Sequence, residues 1–227
     1  VVLLGTALLS PRDAGLRGWW STAGLSLDSF TAAANVGLLR ALSSTGKLRI
    51  HAVDVTLDAD VAALATTLGD AAIDLVLNVA GDYGGDRQRI TNLDLAALMR
   101  TYDINAVGAL RISLALLPHL RRGTGKKLVH VTSGMGSIGD NGSGGFYAYR
   151  MSKAALNMMS KSLAIDLRPE GVFSAVINPG WVQTDMGGPS APTPVADSVR
   201  MMLHEIDTAT LAASGEFLDY KGGRYPW

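Results

Sequence analysis

The chain has 227 residues, 48% hydrophobic and 18% charged, with 20 Lys+Arg against 20 Asp+Glu. It is long enough to bury one sizeable core and too apolar for a disordered chain, while its zero net charge argues against a nucleic-acid binder. The lack of cysteine excludes a disulfide scaffold, a Cys nucleophile and a thiolate metal site, and no apolar run reaches the roughly 18 residues of a membrane span.

In chain order, Val1-Val-Leu-Leu reads as a strand, and the chain's natural start is expected upstream of Val1. Residues 5–31 have no clear period, with Trp19 and Trp20 side by side. No basic-then-apolar leader is present, so a cytoplasmic protein is expected. Leu25-Ser-Leu-Asp28 is a candidate second strand. From about residue 47 short β-like runs alternate with helical ones. Leu48 to Asp54 alternates as a strand does. Leu57 to Leu68 predicts a helix, with Asp58 or Asp60 as N-cap and Gly69 as C-cap. Ile73 to Asn78 is a strand, Leu93 to Leu117 a long helix stopped near Pro118, and Lys127 to Thr132 a strand. A glycine-rich loop precedes a helix from Phe146 to Leu167. Val172 to Ile177 is a strand, Pro192 to Ala213 holds a helix, and Glu216 to Asp219 is a last short strand. Repeated strand–helix–strand units imply an α/β fold, a Rossmann-like, doubly wound, mostly parallel sheet flanked by helices. With no repeat and no linker, residues 1–227 read as a single domain.

In such sheets ligands bind beyond the carboxyl ends of the strands. The strand ends here are Asp54, Asn78-Val-Ala-Gly81, Ser133-Gly134 and Asn178-Pro-Gly180. Any one of them is explained by ordinary turn chemistry; four together point to a cleft. Tyr149-Arg-Met-Ser-Lys153 puts a phenol and an ammonium on one helix face, one turn apart. By itself this spacing is common. A Lys ammonium beside a phenol lowers its pKa from about 10, which suits the Tyr to proton transfer. The four histidines (51, 119, 130, 204) have no metal-binding spacing, and no metal site is expected.

Taken together, these motifs resemble the short-chain dehydrogenase/reductase superfamily over about Leu48 to the last residue. Asp54-Val55 looks like the acidic residue and its neighbour that contact the adenine. Asn78-Val79-Ala80-Gly81 resembles the Asn-Asn-Ala-Gly motif, with Val replacing the second Asn. Asn105, Ser133, Tyr149 and Lys153 match the catalytic tetrad, and Pro179-Gly180-Trp-Val182-Gln-Thr184 resembles the stretch that holds the nicotinamide end. The spacing from Ser133 to Tyr149 is longer than usual, which makes Ser137 a rival for the serine role. Ser133 is preferred because it directly ends its strand. The long glycine loop, the Tyr149-Arg-Met-Ser-Lys153 wording and the ending Gly215-Glu-Phe-Leu-Asp-Tyr220 to Pro226-Trp227 resemble the C-factor-like and sniffer-like carbonyl reductases.

The resemblance implies hydride transfer between NADP or NAD and a small carbonyl or alcohol, NADP being favoured by the subgroup. The implied catalytic residues are Ser133, Tyr149, Lys153 and Asn105. The implied cofactor contacts are Asp54, Val55, Asn78, Ala80, Gly81, Tyr149, Lys153, Pro179, Gly180, Val182 and Thr184. No nucleic-acid or membrane partner is implied, and a homodimer or homotetramer is. Met135, Tyr147, Trp181 and Met186 read equally as pocket wall or as packing. Residues 1–31 depart from the pattern: they lack the glycine-rich turn that cradles a pyrophosphate, and Leu8, Leu9 and Pro11 stand where it belongs. Two explanations stay open, a shifted reading frame up to about residue 31 and real divergence. The alternative function is therefore a non-catalytic binding or signalling protein with impaired cofactor binding.

Overall fold

The computed structural model describes the backbone of residues 6–9 and residues 51 and 53–227. The Val1–Leu4 strand and the Leu25–Asp28 strand lie outside the described residues, as does most of the 48–54 run; of the stretch where the glycine turn belongs only residues 6–9 are described, and they form a strand, so Leu8 and Leu9 are strand residues. His51, Val53 and Asp54 are described and belong to no strand.

The elements are β1 (Thr6–Leu9), α1 (Asp58–Leu68), β2 (Leu75–Asn78), α2 (Leu95–Tyr102), α3 (Ala109–Arg122), β3 (Lys127–Val131), α4 (Tyr147–Asp166), β4 (Phe173–Asn178), α5 (Val195–Thr208) and β5 (Phe217–Asp219). The sheet order is β1-β2-β3-β4-β5. β2 to β5 pair in parallel, Leu75 opposite Lys127, Lys127 opposite Phe173 and Val176 opposite Phe217. β1 lies antiparallel to β2, Thr6 opposite Asn78. The sheet is thus mostly parallel, as the alternation of elements implies.

Alternate residues of β2 and β3 feed two cores. Leu75, Leu77, Val129, Val131, Ala175 and Ile177 pack against Val195, Val199, Met202 and Ile206 of α5. Val76 and Leu128 face the other side, where Val61 and Leu64 of α1 and Ile112, Leu116 and Leu120 of α3 cover them. The helical spacing of these apolar positions selects which face of each helix is buried. β2 to β4 are apolar because both faces are covered.

Several boundaries differ from the sequence reading. α1 is capped by Leu57, with no side-chain bond; neither aspartate serves, because Asp60 accepts from the Asp54 N–H and Asp58 pairs with Arg111. Gly69 is the C-cap as expected. Pro118 does not stop its helix, which runs on to Arg122. The bond that proline forgoes would serve the carbonyl of residue 114, and Leu114 lies on an exposed face of the helix. α2 and α3 are joined by a π-helical turn, Asp103–Gly108. The Pro192–Ala213 helix is shorter, Val195–Thr208, followed by a separate 3-10 turn at Leu211–Ala213.

Candidate active site

The carboxyl ends of β2, β3 and β4 meet at one edge of the sheet, and the first turns of α4 lie across it. Tyr149 stands in the first turn of α4, almost fully buried. Its ring packs on Tyr83, centroids 5.1 Å apart. Lys153, one turn on, has Nζ 5.8 Å from the Tyr149 ring centroid and donates to the Val131 carbonyl at 2.9 Å. Ser133 lies two residues past β3, which ends at Val131, one residue earlier than the sequence reading places it, and caps the 3-10 turn Gly134–Gly136, accepting from the Met135 N–H at 3.1 Å. Its hydroxyl acts on the Tyr149 phenol in the sense that lowers the phenol's pKa.

Asn105 sits in the π turn and is fully buried. Its amide accepts from the Asp82 N–H at 2.7 Å and donates to the Asp82 carbonyl and Ser152 Oγ, both at 2.8 Å. Ser152 in turn donates to the Tyr149 carbonyl at 2.8 Å, tying the turn to α4. A π turn widens the helix by one residue, a device that recurs at functional sites. The four tetrad positions are therefore brought together. Ser137 Oγ is engaged elsewhere, donating to the Pro226 carbonyl at 2.7 Å.

Burial drives the charges of this cluster. It pushes the Tyr149 phenol up to about 12, while the Ser133 hydrogen bond acts in the opposite sense. It pulls Lys153 down to about 8. Lys153 was expected to depress the phenol, but desolvation outweighs any such effect, because a phenolate is costly in a nearly dry site.

The other sequence candidates are placed as follows. Gly81 faces the cluster: a Cβ there would come 3.6 Å from Lys153 Nζ and 3.7 Å from Asn105 Oδ1. Ala80, just before it, packs on the core beneath α3. Asn78 turns its side chain inward, to His130 Nδ1 at 3.0 Å and Ser113 Oγ at 3.3 Å. Val55 is buried against Gly108 of the π turn. Asp54 is exposed, and Thr56 bonds hold its carboxyl below the usual range. The Pro179 carbonyl accepts from Ser198 Oγ at 2.7 Å. Gly180 has φ +84°, and a Cβ would strike the Tyr220 ring at 2.7 Å. Val182 is buried and bridges to Thr193, and Thr184 Oγ1 accepts from the Gly187 N–H at 3.0 Å. Tyr147, Trp181 and Met186 are exposed, and Met135 is half-buried.

Three site residues escape sequence reasoning: Asp82, Tyr83 and Gln88. Gln88 is nearly inaccessible; its Oε1 accepts from the Tyr149 N–H at 3.0 Å, and its Nε2 donates to the Tyr83 and Gly85 carbonyls at 2.7 and 2.8 Å. It thus caps α4, whose first N–H groups have no helical acceptor. Asp82 accepts from Thr101 Oγ1 at 2.5 Å. The one signal for this loop is the Gly84-Gly85 pair, and both glycines have positive φ.

The donor set fits the ribose of a nicotinamide cofactor. Lys153 Nζ has three donors and spends one on Val131. The glycine at 81 leaves bare backbone opposite that ammonium.

Residues 24–194 match the family model for the short chain dehydrogenases, and the chain belongs to that family. The match extends further toward the amino end than the motifs, which begin at Asp54. A relative from Myxococcus xanthus, C-signal, is 50% identical over 165 residues, which span 73% of this chain and 99% of that one. The carbonyl reductase Sniffer of D. melanogaster superposes with a TM-score of 0.80 at 30% identity, covering 86% of this chain and 85% of that one. An NADPH-bound carbonyl reductase from chicken fatty liver gives a TM-score of 0.79 at 30% identity, covering 86% and 84%. These similarities place the chain among oxidoreductases of the C-factor-like and sniffer-like kind. No helix of the described residues is long and apolar enough to cross a membrane.

Proposed function

We propose that the chain interconverts a small carbonyl compound and its alcohol with a nicotinamide cofactor, Tyr149 being the proton donor and acceptor. The bound nicotinamide supplies or accepts the hydride. The reading is carried by the convergence of Tyr149, Ser133, Lys153 and Asn105 at the carboxyl ends of β2 and β3. In the reducing direction Tyr149 gives its phenolic proton to the substrate oxygen, and burial keeps that proton in place at neutral pH. Ser133 donates to the same oxygen as charge develops on it. Lys153 would hold the ribose hydroxyls, and Asn105 positions α4 through Ser152. Gly81, Pro179, Gly180, Val182 and Thr184 would line the nicotinamide end, and Asp54 and Val55 would lie toward the adenine. The NADPH-bound relative supports NADP over NAD.

Titration of the purified chain with NADPH and NADH tests this reading. Binding of at least one is expected, and no binding of either at millimolar concentration sinks it. Tyr149→Phe is expected to lower kcat about 10²- to 10⁴-fold with NADPH affinity within twofold; retained turnover removes Tyr149 from its role. A second reading is a binding or signalling protein without catalysis. It is favoured by the 50% identity to a relative called C-signal and by the missing glycine turn in residues 1–31.

A further inference from the structure

Ser133 lies at the start of a glycine-rich loop. It opens a single 3-10 turn, Gly134–Gly136, and such turns have poor hydrogen-bond geometry. Six glycines follow between 134 and 145, and glycine loses more conformational freedom on ordering than any other residue. Two sides of the turn are held by the site's own elements. The Gly134 N–H donates to Asn178 Oδ1 at 3.1 Å, and Asn157 Nδ2 of α4 donates to the Gly136 carbonyl at 3.2 Å.

The third side is closed by residues 222–227. Ser137 Oγ donates to the Pro226 carbonyl at 2.7 Å and accepts from the Asp140 N–H at 3.0 Å. The Gly139 N–H donates to the Trp227 carbonyl at 2.8 Å. The Tyr225 ring covers Gly134 so closely that a Cβ there would lie 3.0 Å from it. The segment is itself anchored on β5. The Tyr225 N–H donates to the Phe217 carbonyl at 2.9 Å, Arg224 pairs with Glu216, and the Tyr225 ring stacks on the buried Phe217 at 5.2 Å. Trp227 packs on Phe217 from the other end, with Lys161 Nζ 5.6 Å from its ring centroid.

We propose that residues 222–227 are a clasp that positions Ser133: anchored on β5, they hold the 134–139 loop through Ser137, Gly139 and the Tyr225 ring. Ser137 and Tyr225 are thus positioning residues, acting on the reaction through Ser133. The proposal rests on the reading of Ser133 and Tyr149 given above. An error of about 1 Å in a catalytic group can cost roughly 10²-fold in rate, so a loosened serine should be visible in turnover.

The test uses Ser137→Ala, Tyr225→Ala and the conservative Tyr225→Phe in the full chain. Hydrogen–deuterium exchange of residues 134–139 is measured, together with NADPH affinity and kcat for NADPH-dependent reduction of 4-nitrobenzaldehyde. Both alanine variants are expected to speed exchange in 134–139 at least about tenfold and to leave α1 unchanged. Their kcat should fall about 10- to 100-fold at unchanged NADPH affinity, and Tyr225→Phe should behave as wild type. Exchange unmoved in both alanine variants overturns the clasp. Faster exchange with undiminished kcat overturns the positioning role, as does NADPH affinity lost in step with kcat. A wild-type chain that binds no NADPH overturns the functional reading instead, and the exchange measurement still decides the clasp.

Discussion

Tyr149 and Lys153 lie one turn apart on α4, and burial drives their pKa values apart, the phenol up to about 12 and the ammonium down to about 8. The ammonium is therefore the first of the pair to lose its proton as pH rises. If the charged Lys153 holds the ribose, kcat/KM for reduction falls above about pH 8, a pKa belonging to the free enzyme. A profile flat to pH 10 would remove Lys153 from that role. Gly180 carries a backbone constraint of its own. Its φ of +84° is a left-handed value that L side chains rarely adopt, and the Tyr220 ring fills the space of a Cβ. Gly180→Ala should cost about 1–3 kcal/mol in urea unfolding; a cost near zero would mean that neither constraint operates.

α4 is the element on which the site depends, and its buried stripe is unusually polar: Tyr149, Ser152, Lys153, Asn157 and Ser160 lie among Ala148, Leu156 and Ala164. Buried polar groups survive only when satisfied, and their partners come from every neighbouring element. Ser152 accepts from Asn105, Asn157 accepts from Thr132 Oγ1 at 2.6 Å, and Ser160 meets Ser174 Oγ at 3.2 Å. The helix start is held by Gln88, because its N-cap, Phe146, has a left-handed φ of +50° and supplies no side-chain acceptor. Gln88→Ala leaves the Tyr149 N–H buried without that acceptor. It should destabilise by about 1–3 kcal/mol and lower kcat more than NADPH affinity. Denaturant unfolding checks the first, turnover assays alongside NADPH calorimetry check the second, and an unchanged midpoint would dismiss the cap.

The whole molecule's stability carries these buried groups into its pH dependence. His130 is fully buried, and desolvation lowers its pKa from 6.5 to about 3. Below pH 6.5 the unfolded chain binds a proton that the folded chain refuses. His130 therefore makes stability fall from pH 6.5 toward pH 3. His130→Gln should flatten that part of the melting-temperature profile, and an unaltered slope would contradict the assignment. Lys153 works at the other end. Between pH 8 and 10.5 the unfolded chain keeps a proton that the folded chain has released, so this group's contribution rises with pH. Lys153→Met should be more stable than wild type at pH 7, by about 1–3 kcal/mol, and the gap should close by pH 10.5. A gap independent of pH would point to packing instead of charge.

The sequence by itself determined the alternation of strands and helices, the covered sheet faces and the placing of Tyr149 and Lys153 on one helix face. These are properties of local periodicity, and nearby residues decide them. The same periodicity could not place the end of α3, which runs past Pro118 to Arg122 with Leu114 on an exposed face. Nor could it find the π turn at Asn105, whose sequence reads as ordinary helix. Tertiary structure alone decided what holds the site: the Gln88 cap on Tyr149 spans 61 positions, and the Ser137 bond to Pro226 spans 89. Tertiary structure also decided the charge of the pair, since a phenol beside a lysine is lowered in water and raised when both are buried. Desolvation depends on every element packed around a group, and no spacing along the chain encodes it.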